Sequence, residues 1–158
     1  MKQRKGFTII EVVLVLAIAG LIFMMVFIAL PALQRSQRDT QRRNDIARAQ
    51  TAVNNFQTNN RGRVPRDTAE FNNTLIPQYL LVGGDIFQDP DGTPYTFRVD
   101  PLATFNPAMT GPGDGGHVIG VILNAQCDGE TPIASTGGNN RLALIYNLEG
   151  GGVICINN

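Results

Sequence analysis

Several residue types are scarce in this chain of 158 residues, and each scarcity closes off a kind of function. Tryptophan is absent, and histidine occurs once, as His117. Cysteine occurs twice, as Cys127 and Cys155. One histidine and two cysteines do not make a structural zinc site, which takes four nitrogen or sulfur ligands. No serine or cysteine stands with a convincing base, no carboxylates pair on a scaffold, and no phosphate-cradling fingerprint occurs. The chain therefore reads as a non-enzymatic protein. Gly113-Asp114-Gly115-Gly116 reads as a flexible loop, and His117 beside it is expected in solvent. Lysine is confined to Lys2 and Lys5. Charge of either sign is missing from Val12 to Leu33. As a helix, an apolar run of that length crosses the ~30 Å hydrocarbon core of a bilayer.

In front of that run stand Lys2, Arg4 and Lys5, then Gly6-Phe7-Thr8-Ile9-Ile10-Glu11. Glu11 is the single acid in the apolar block from Phe7 to Leu33. An ionised carboxylate at that depth costs roughly 2.5–3.5 kcal/mol on insertion scales, so it calls for a partner. A cut between Gly6 and Phe7 would create an α-amine four residues before Glu11, and residues i and i+4 share a helix face. The pair can close within one chain, or Glu11 can reach the new N-terminus of a neighbour. In the second case the buried charge becomes a device for self-assembly.

A short basic leader ending in Gly6, followed by Phe7-Thr8-Ile9-Ile10-Glu11 and an apolar helix, resembles the class III signal of type IV prepilins and type II secretion pseudopilins. An ordinary secretory signal has a shorter apolar region with a small-residue cleavage site at its end. This run instead ends in Leu30-Pro31-Ala32-Leu33. The resemblance implies that a membrane-bound prepilin peptidase cuts between Gly6 and Phe7 and N-methylates Phe7, and that Glu11 is the assembly glutamate. It implies the type IV pilin fold, α+β, with a long N-terminal helix and a C-terminal antiparallel sheet. The implied organisation is a leader at 1–6, a membrane and assembly helix at 7–33, a stalk helix at 34–60 and a head at 61–158. Implied partners are further copies of the chain in a helical filament, an assembly ATPase and its platform protein. The protein would sit in the inner membrane and then in an extracellular pilus serving adhesion, motility or DNA uptake, or in a secretion or competence pseudopilus. The processed chain would hold no lysine, which argues against covalently linked pili that need a lysine acceptor. Five arginines follow the span within about fifteen residues, so the positive-inside rule alone leaves the orientation ambiguous. The resemblance puts the leader inside and the head outside.

Phe7 to about Asn59 reads as one helix, with Gly20 and Pro31 as expected breaks; proline removes a backbone donor and clashes with the preceding turn. Gln34 to Asp45 holds no apolar residue and needs neighbours or ion pairs to stay helical. Ile46, Ala49, Val53 and Phe56 then form one apolar stripe, the expected seam for the head. Asn59-Asn60-Arg61-Gly62 and Pro65 supply the stop. A short helix or turn is expected around Phe71 to Leu80. Asp89-Pro90-Asp91-Gly92-Thr93-Pro94 reads as a turn feeding a strand at Tyr95–Val99, and resembles the segment that opens the sheet of many pilins and pseudopilins. Further strands are expected at Val118–Leu123, Arg141–Leu148 and Val153–Ile156, the last two joined as a hairpin. Asn106–His117 and Asp128–Asn140 are expected as loops. Helix first and strands after make an α+β chain.

With the head outside the cytoplasm, Cys127 and Cys155 are expected to pair, like the C-terminal disulfide loop of many type IV pilins; two buried thiols are the alternative. No cofactor is expected, although Asp114, Asp128 and Glu130 are loop acids that leave calcium open. Asn72-Asn73-Thr74 fits a glycosylation pattern. Between Gln34 and Arg66 eight arginines face two aspartates, and beyond Arg66 ten acids face two arginines. Three readings fit this asymmetry: a solvated helix face, head-to-stalk matching between neighbouring subunits, or an arginine stripe on DNA or anionic lipid. No aromatics are interleaved with the arginines for base stacking.

Overall fold

The computed structural model describes residues 6–113 and 116–158. Lys2, Arg4, Lys5 and Asp114 lie outside the described residues. The chain divides into two compact units, Met1–Ser36 and Gln37–Asn158.

Helix α1 runs from Ile9 to Asn59, with Gly20 and Pro31 inside its bounds. Among the described residues of the first unit, the large apolar side chains from Ile9 to Leu33 are exposed. This helix is long and apolar enough to cross a membrane.

In the second unit the expected stripe is the seam. Ile46, Ala49, Val53 and Phe56, with Ala52, are all buried. They pack on Phe71 and Leu75, on Phe87, and on one face of a sheet through Phe97, Val121 and Leu144. Asp67 caps α2 (Thr68–Glu70) by accepting from the Glu70 N–H at 2.8 Å. α2 runs into α3 (Phe71–Leu80), a π-helix that ends with the Leu81 N–H on the Ile76 carbonyl.

The strands are β1 (Tyr95–Val99), β2 (Gly111–Gly113), β3 (Gly116–Leu123), β4 (Ala125–Asp128), β5 (Thr131–Ala134), β6 (Leu142–Asn147) and β7 (Val153–Asn157). The main sheet has the order β1-β3-β6-β7, with β2 also on β3; β4 and β5 form a separate hairpin. The α+β class holds, but the sheet is mixed rather than antiparallel. β1 and β3 run parallel, from Tyr95↔His117 to Val99↔Val121. The reason lies in the connection. β2 pairs antiparallel with β3, Gly111 opposite Val118, so the chain has reversed direction before β3 reaches β1. The stretch from Asp100 to Thr110 gives the length a parallel crossover needs.

The two expected loops are also corrected. Asn106–His117 contains β2 and the start of β3, and Asp128–Asn140 contains β5. Both carry too little apolar pattern to announce a strand; pairing with neighbours makes them strands. β4 covers the second face of β6 together with Leu102 and Phe105, so Ala143 and Ile145 are buried as well as Leu142, Leu144 and Tyr146. This makes β6 a continuous apolar run, as expected of a strand covered on both sides.

Both outer strands are closed. Across β1, the Asn72 amide donates to the Phe97 carbonyl at 2.9 Å and accepts from the Phe97 N–H at 2.8 Å. The Thr68 hydroxyl accepts from the Val99 N–H at 3.1 Å. Beside β7, a disulfide joins Cys127 of β4 to Cys155, with the Cα atoms 5.7 Å apart.

Candidate functional site

Two arrangements concentrate the chemistry, one in each unit. In the first, Gly6 and Phe7 precede α1, and Phe7 is 87 % exposed. Thr8 stands before the first helical residue, so its N–H and the next ones have no partner inside the helix. Glu11, in the first turn, reaches back to fill that need. Its Oε2 accepts from the Thr8 N–H at 3.3 Å and from the Thr8 hydroxyl at 3.2 Å. This is the carboxylate half of a capping box. Phe7, Glu11, Val12, Val15 and Leu16 line one shallow hollow on the helix surface. The Gly6–Phe7 bond, an acid and an open apolar face thus lie within about two turns.

In the second unit, Arg42 is the centre. It is 2 % exposed, on the polar stretch of α1 that lacked any apolar residue. Its guanidinium grips Asp89 at 2.6 and 3.0 Å, Asp39 at 2.9 Å and Glu149 at 3.1 Å. Burial alone would lower its pKa, but its hydrogen bonds to Asp89, Asp39 and Glu149 together raise it. Arg38 adds a two-bonded grip on Glu149 at 2.9 and 2.6 Å. Asp39 in turn accepts from the N–H groups of Glu149 and Gly150, which fixes the β6–β7 turn against α1. Bidentate arginine–carboxylate pairs of this kind are the stronger, geometrically specific ones.

The same Asp89 ties the sheet to the helix. Its Oδ2 accepts from the hydroxyls of Tyr95 at 3.3 Å and Tyr146 at 3.4 Å. Burial first, then the charge of Asp89, pushes both phenols up, so both remain donors. Asp45 is raised by its burial. His117, expected in solvent, is 4 % exposed at the start of β3. Its Nδ1 lies 2.6 Å from the Tyr146 hydroxyl and its Nε2 2.7 Å from Asp91. The parallel pairing of β1 and β3 carries it there, opposite Tyr95. No local signal around His117 could have shown this.

Asp89, Asp91 and His117 bring three potential ligand atoms within 4.8 Å of one another. Each of these groups already faces a proton donor or its conjugate: Asp89 faces Arg42, while Asp91 and His117 face each other. The second Asp91 oxygen accepts from the Thr93 N–H at 2.8 Å. The donor set is that of an ion-paired polar core, and a cation would have to displace Arg42. Asp128 and Glu130, the other acids considered for calcium, flank the exposed β4–β5 turn.

The arginine stripe is partly consumed within the chain. Arg38, Arg42, Arg48 and Arg63 pair with Glu149, Asp89, Asp45 and Glu70 respectively.

No curated protein matches the chain, and no solved structure does. The family model for the prokaryotic N-terminal methylation motif matches residues 1–27. That match covers the basic residues before Gly6, the Gly6–Phe7 bond, Glu11 and the exposed apolar helix as far as Phe27. With an apolar helix exposed behind it and an α+β head after it, the chain carries the class III signal of type IV pilins and pseudopilins.

Proposed function

We propose that this chain is a structural subunit, the major one, of a type IV pilus. It is cut between Gly6 and Phe7 and N-methylated at Phe7 by the prepilin peptidase. It then waits in the cytoplasmic membrane with its head outside, and an assembly ATPase with its platform protein draws it into a surface filament. The division at 1–6, 7–33, 34–60 and 61–158 is that of leader, assembly helix, stalk and head. The carrying observation is the methylation motif in front of an apolar helix with nothing packed on it. A bare helix of that kind is satisfied by lipid before assembly and by copies of itself afterwards. Glu11 is then the selective element. Its two bonds to Thr8 are local and exposed, so the acid can exchange them for a neighbour's α-amine. Gly20 and Pro31 are where α1 opens in the filament.

The same motif serves pseudopilins, so a secretion or competence pseudopilus is the second reading. Long surface fibres identify the pilus; a short periplasmic structure identifies the pseudopilus. A membrane-anchored module binding DNA or lipid through the stalk has less support, because three of the stalk arginines, Arg38, Arg42 and Arg48, already hold carboxylates of their own chain.

The test combines electron microscopy of sheared filaments with mass spectrometry of the subunit's N-terminus. The expected subunit begins at a methylated Phe7. Gly6→Val should leave a full-length precursor in the membrane. Glu11→Ala should be cut normally yet yield few fibres. A subunit beginning at Met1 in native fibres would refute the processing assignment.

A further inference from the structure

Ion pairs inside the second unit absorb most of its charge, and the charge that remains falls at opposite ends. At the Asn59 end of α1 stand Arg61, Arg66 and Arg141, all exposed. Their common level is set by hydrogen bonds. Gln57 donates to the carbonyls of Gly62 and Asn140, the neighbours of Arg61 and Arg141. The Arg66 N–H donates to Glu70, whose carboxylate is held by Arg63, itself lying over the Phe56 ring. None of the three guanidiniums forms an ion pair among the described residues; Arg141 donates to the Asn158 carbonyl. Asp67 is an exposed acid at this level among the described residues, and it caps α2.

At the Asp39 end the sign is reversed. Asp128 and Glu130 flank the β4–β5 turn, both exposed and without an ion pair among the described residues. The Glu130 carboxylate lies beside Gly152 of the β6–β7 turn, and Asp39 holds Gly150 of that same turn. The hairpin runs from the Arg141 end, where the Asn124 N–H donates to the Arg141 carbonyl, down to this turn. Of the other charges here, Asp91 is bound to His117 and Arg42 to Asp39, Asp89 and Glu149. Arg43 is also exposed. From Asp39 to Gln57 is about 27 Å along a helix rising 1.5 Å per residue.

We propose that these ends form a head-to-tail interface between copies of this chain: the Arg61–Arg66–Arg141 end of one head receives the Asp128–Glu130 turn of another. The proposal rests on the pilus reading above and deepens it. A cationic patch at one end and an anionic turn at the other make a heterologous contact, which repeats without closing and so builds a fibre. Charge pairs at such a rim set register and orientation more than affinity. The apolar helices hold the fibre together, and the head charges decide how the copies line up.

The test is a charge swap in the full-length protein expressed in filament-forming cells. Asp128→Arg with Glu130→Arg should cut sheared filament to about a tenth, since turning attraction into repulsion over two charges reaches the ~1.4 kcal/mol that a tenfold change requires. Arg61→Glu with Arg141→Glu should do the same. The four changes together should restore filament to within about twofold of the unaltered protein, because like charges no longer meet. Unchanged melting of each variant in detergent shows that the fold is intact. If every variant makes unaltered amounts of filament, the interface assignment is overturned while the pilus reading stands. The assignment also falls if the Arg61→Glu, Arg141→Glu variant assembles normally but its fibres lose bound DNA, since the cationic end then serves a polyanion. If the unaltered chain makes no fibre and stays uncut, the pilus reading fails first, a result distinct from either.

Discussion

Asn72 shows how differently one side chain reads in sequence and in the fold. In the sequence it opens the pattern Asn72-Asn73-Thr74. In the structure both ends of its amide are bonded to the backbone of Phe97. It acts as a one-residue strand that closes the edge of β1, the kind of edge that otherwise invites pairing with another chain. Asn72→Ala should lower stability by about 1–3 kcal/mol, the cost of leaving a partly buried donor and acceptor unmet. It should also raise aggregation on heating. Differential scanning calorimetry with light scattering checks both, and mass spectrometry should find no glycan on Asn72. His117 teaches the same lesson. A lone histidine beside a glycine-rich loop looks solvent-bound, because nothing near it in sequence shows that Tyr146 and Asp91 will close around it. Arg42 was hidden for a related reason: in a stretch without apolar residues, no periodicity distinguishes the buried arginine from its exposed neighbours.

At the scale of the elements, α1 is two helices in one. Among the described residues its first part is exposed, and the part from Arg38 onward has two seams: the apolar stripe from Ile46 to Phe56 and, ahead of it, the ion-paired clamp of Arg38 and Arg42. The clamp is the least forgiving part. Arg42→Met should cost about 3–5 kcal/mol, because Asp89 and Asp39 would remain as buried carboxylates without their partner. Arg43→Met, one residue on and exposed, should change stability by no more than about 0.5 kcal/mol. Thermal melting of the two variants side by side makes the comparison; equal effects would show that the clamp does not hold the head. The second staple is covalent. Cys127 and Cys155 close a loop with a sequence separation of 28, for which the chain-entropy model gives about 3–4 kcal/mol. Cys127→Ser should lower the melting temperature in oxidising buffer, and reductant should lower the unaltered protein to the same value.

For the molecule as a whole, the carboxylates predict how the head responds to acid. Arg38, then Arg42, donate to Glu149 and bring it from the ordinary 4.5 down to about 2. The Thr93 N–H, then His117, bring Asp91 from 3.8 down to about 2. Arg63 lowers Glu70 in the same direction. The folded head binds these protons less tightly than the unfolded chain, so their stabilisation is complete above 4.5 and is lost as pH falls toward 2. Asp45, raised by burial, works in the opposite sense and regains part of the loss on protonation. Melting temperature should therefore hold from about pH 7 to 5 and then fall steadily toward about pH 3. A melting temperature flat across that range would mean that these pairs contribute nothing net. What the sequence determined by itself was everything that rests on local order along the chain. The apolar helix, the stripe from Ile46 to Phe56 and the strands expected at Tyr95–Val99, Val118–Leu123, Arg141–Leu148 and Val153–Ile156 follow from periodicity, and the need of Glu11 for a partner follows from the energy of charge in lipid. What only the tertiary structure decided depends on residues far apart in the chain. The parallel pairing of β1 with β3 follows from where β2 reverses the chain. The burial of His117, the convergence of Asp39, Asp89 and Glu149 on Arg42, and the closing of β1 by Asn72 arise because polar groups taken out of water must find partners, and those partners come from whichever segment packing brings near.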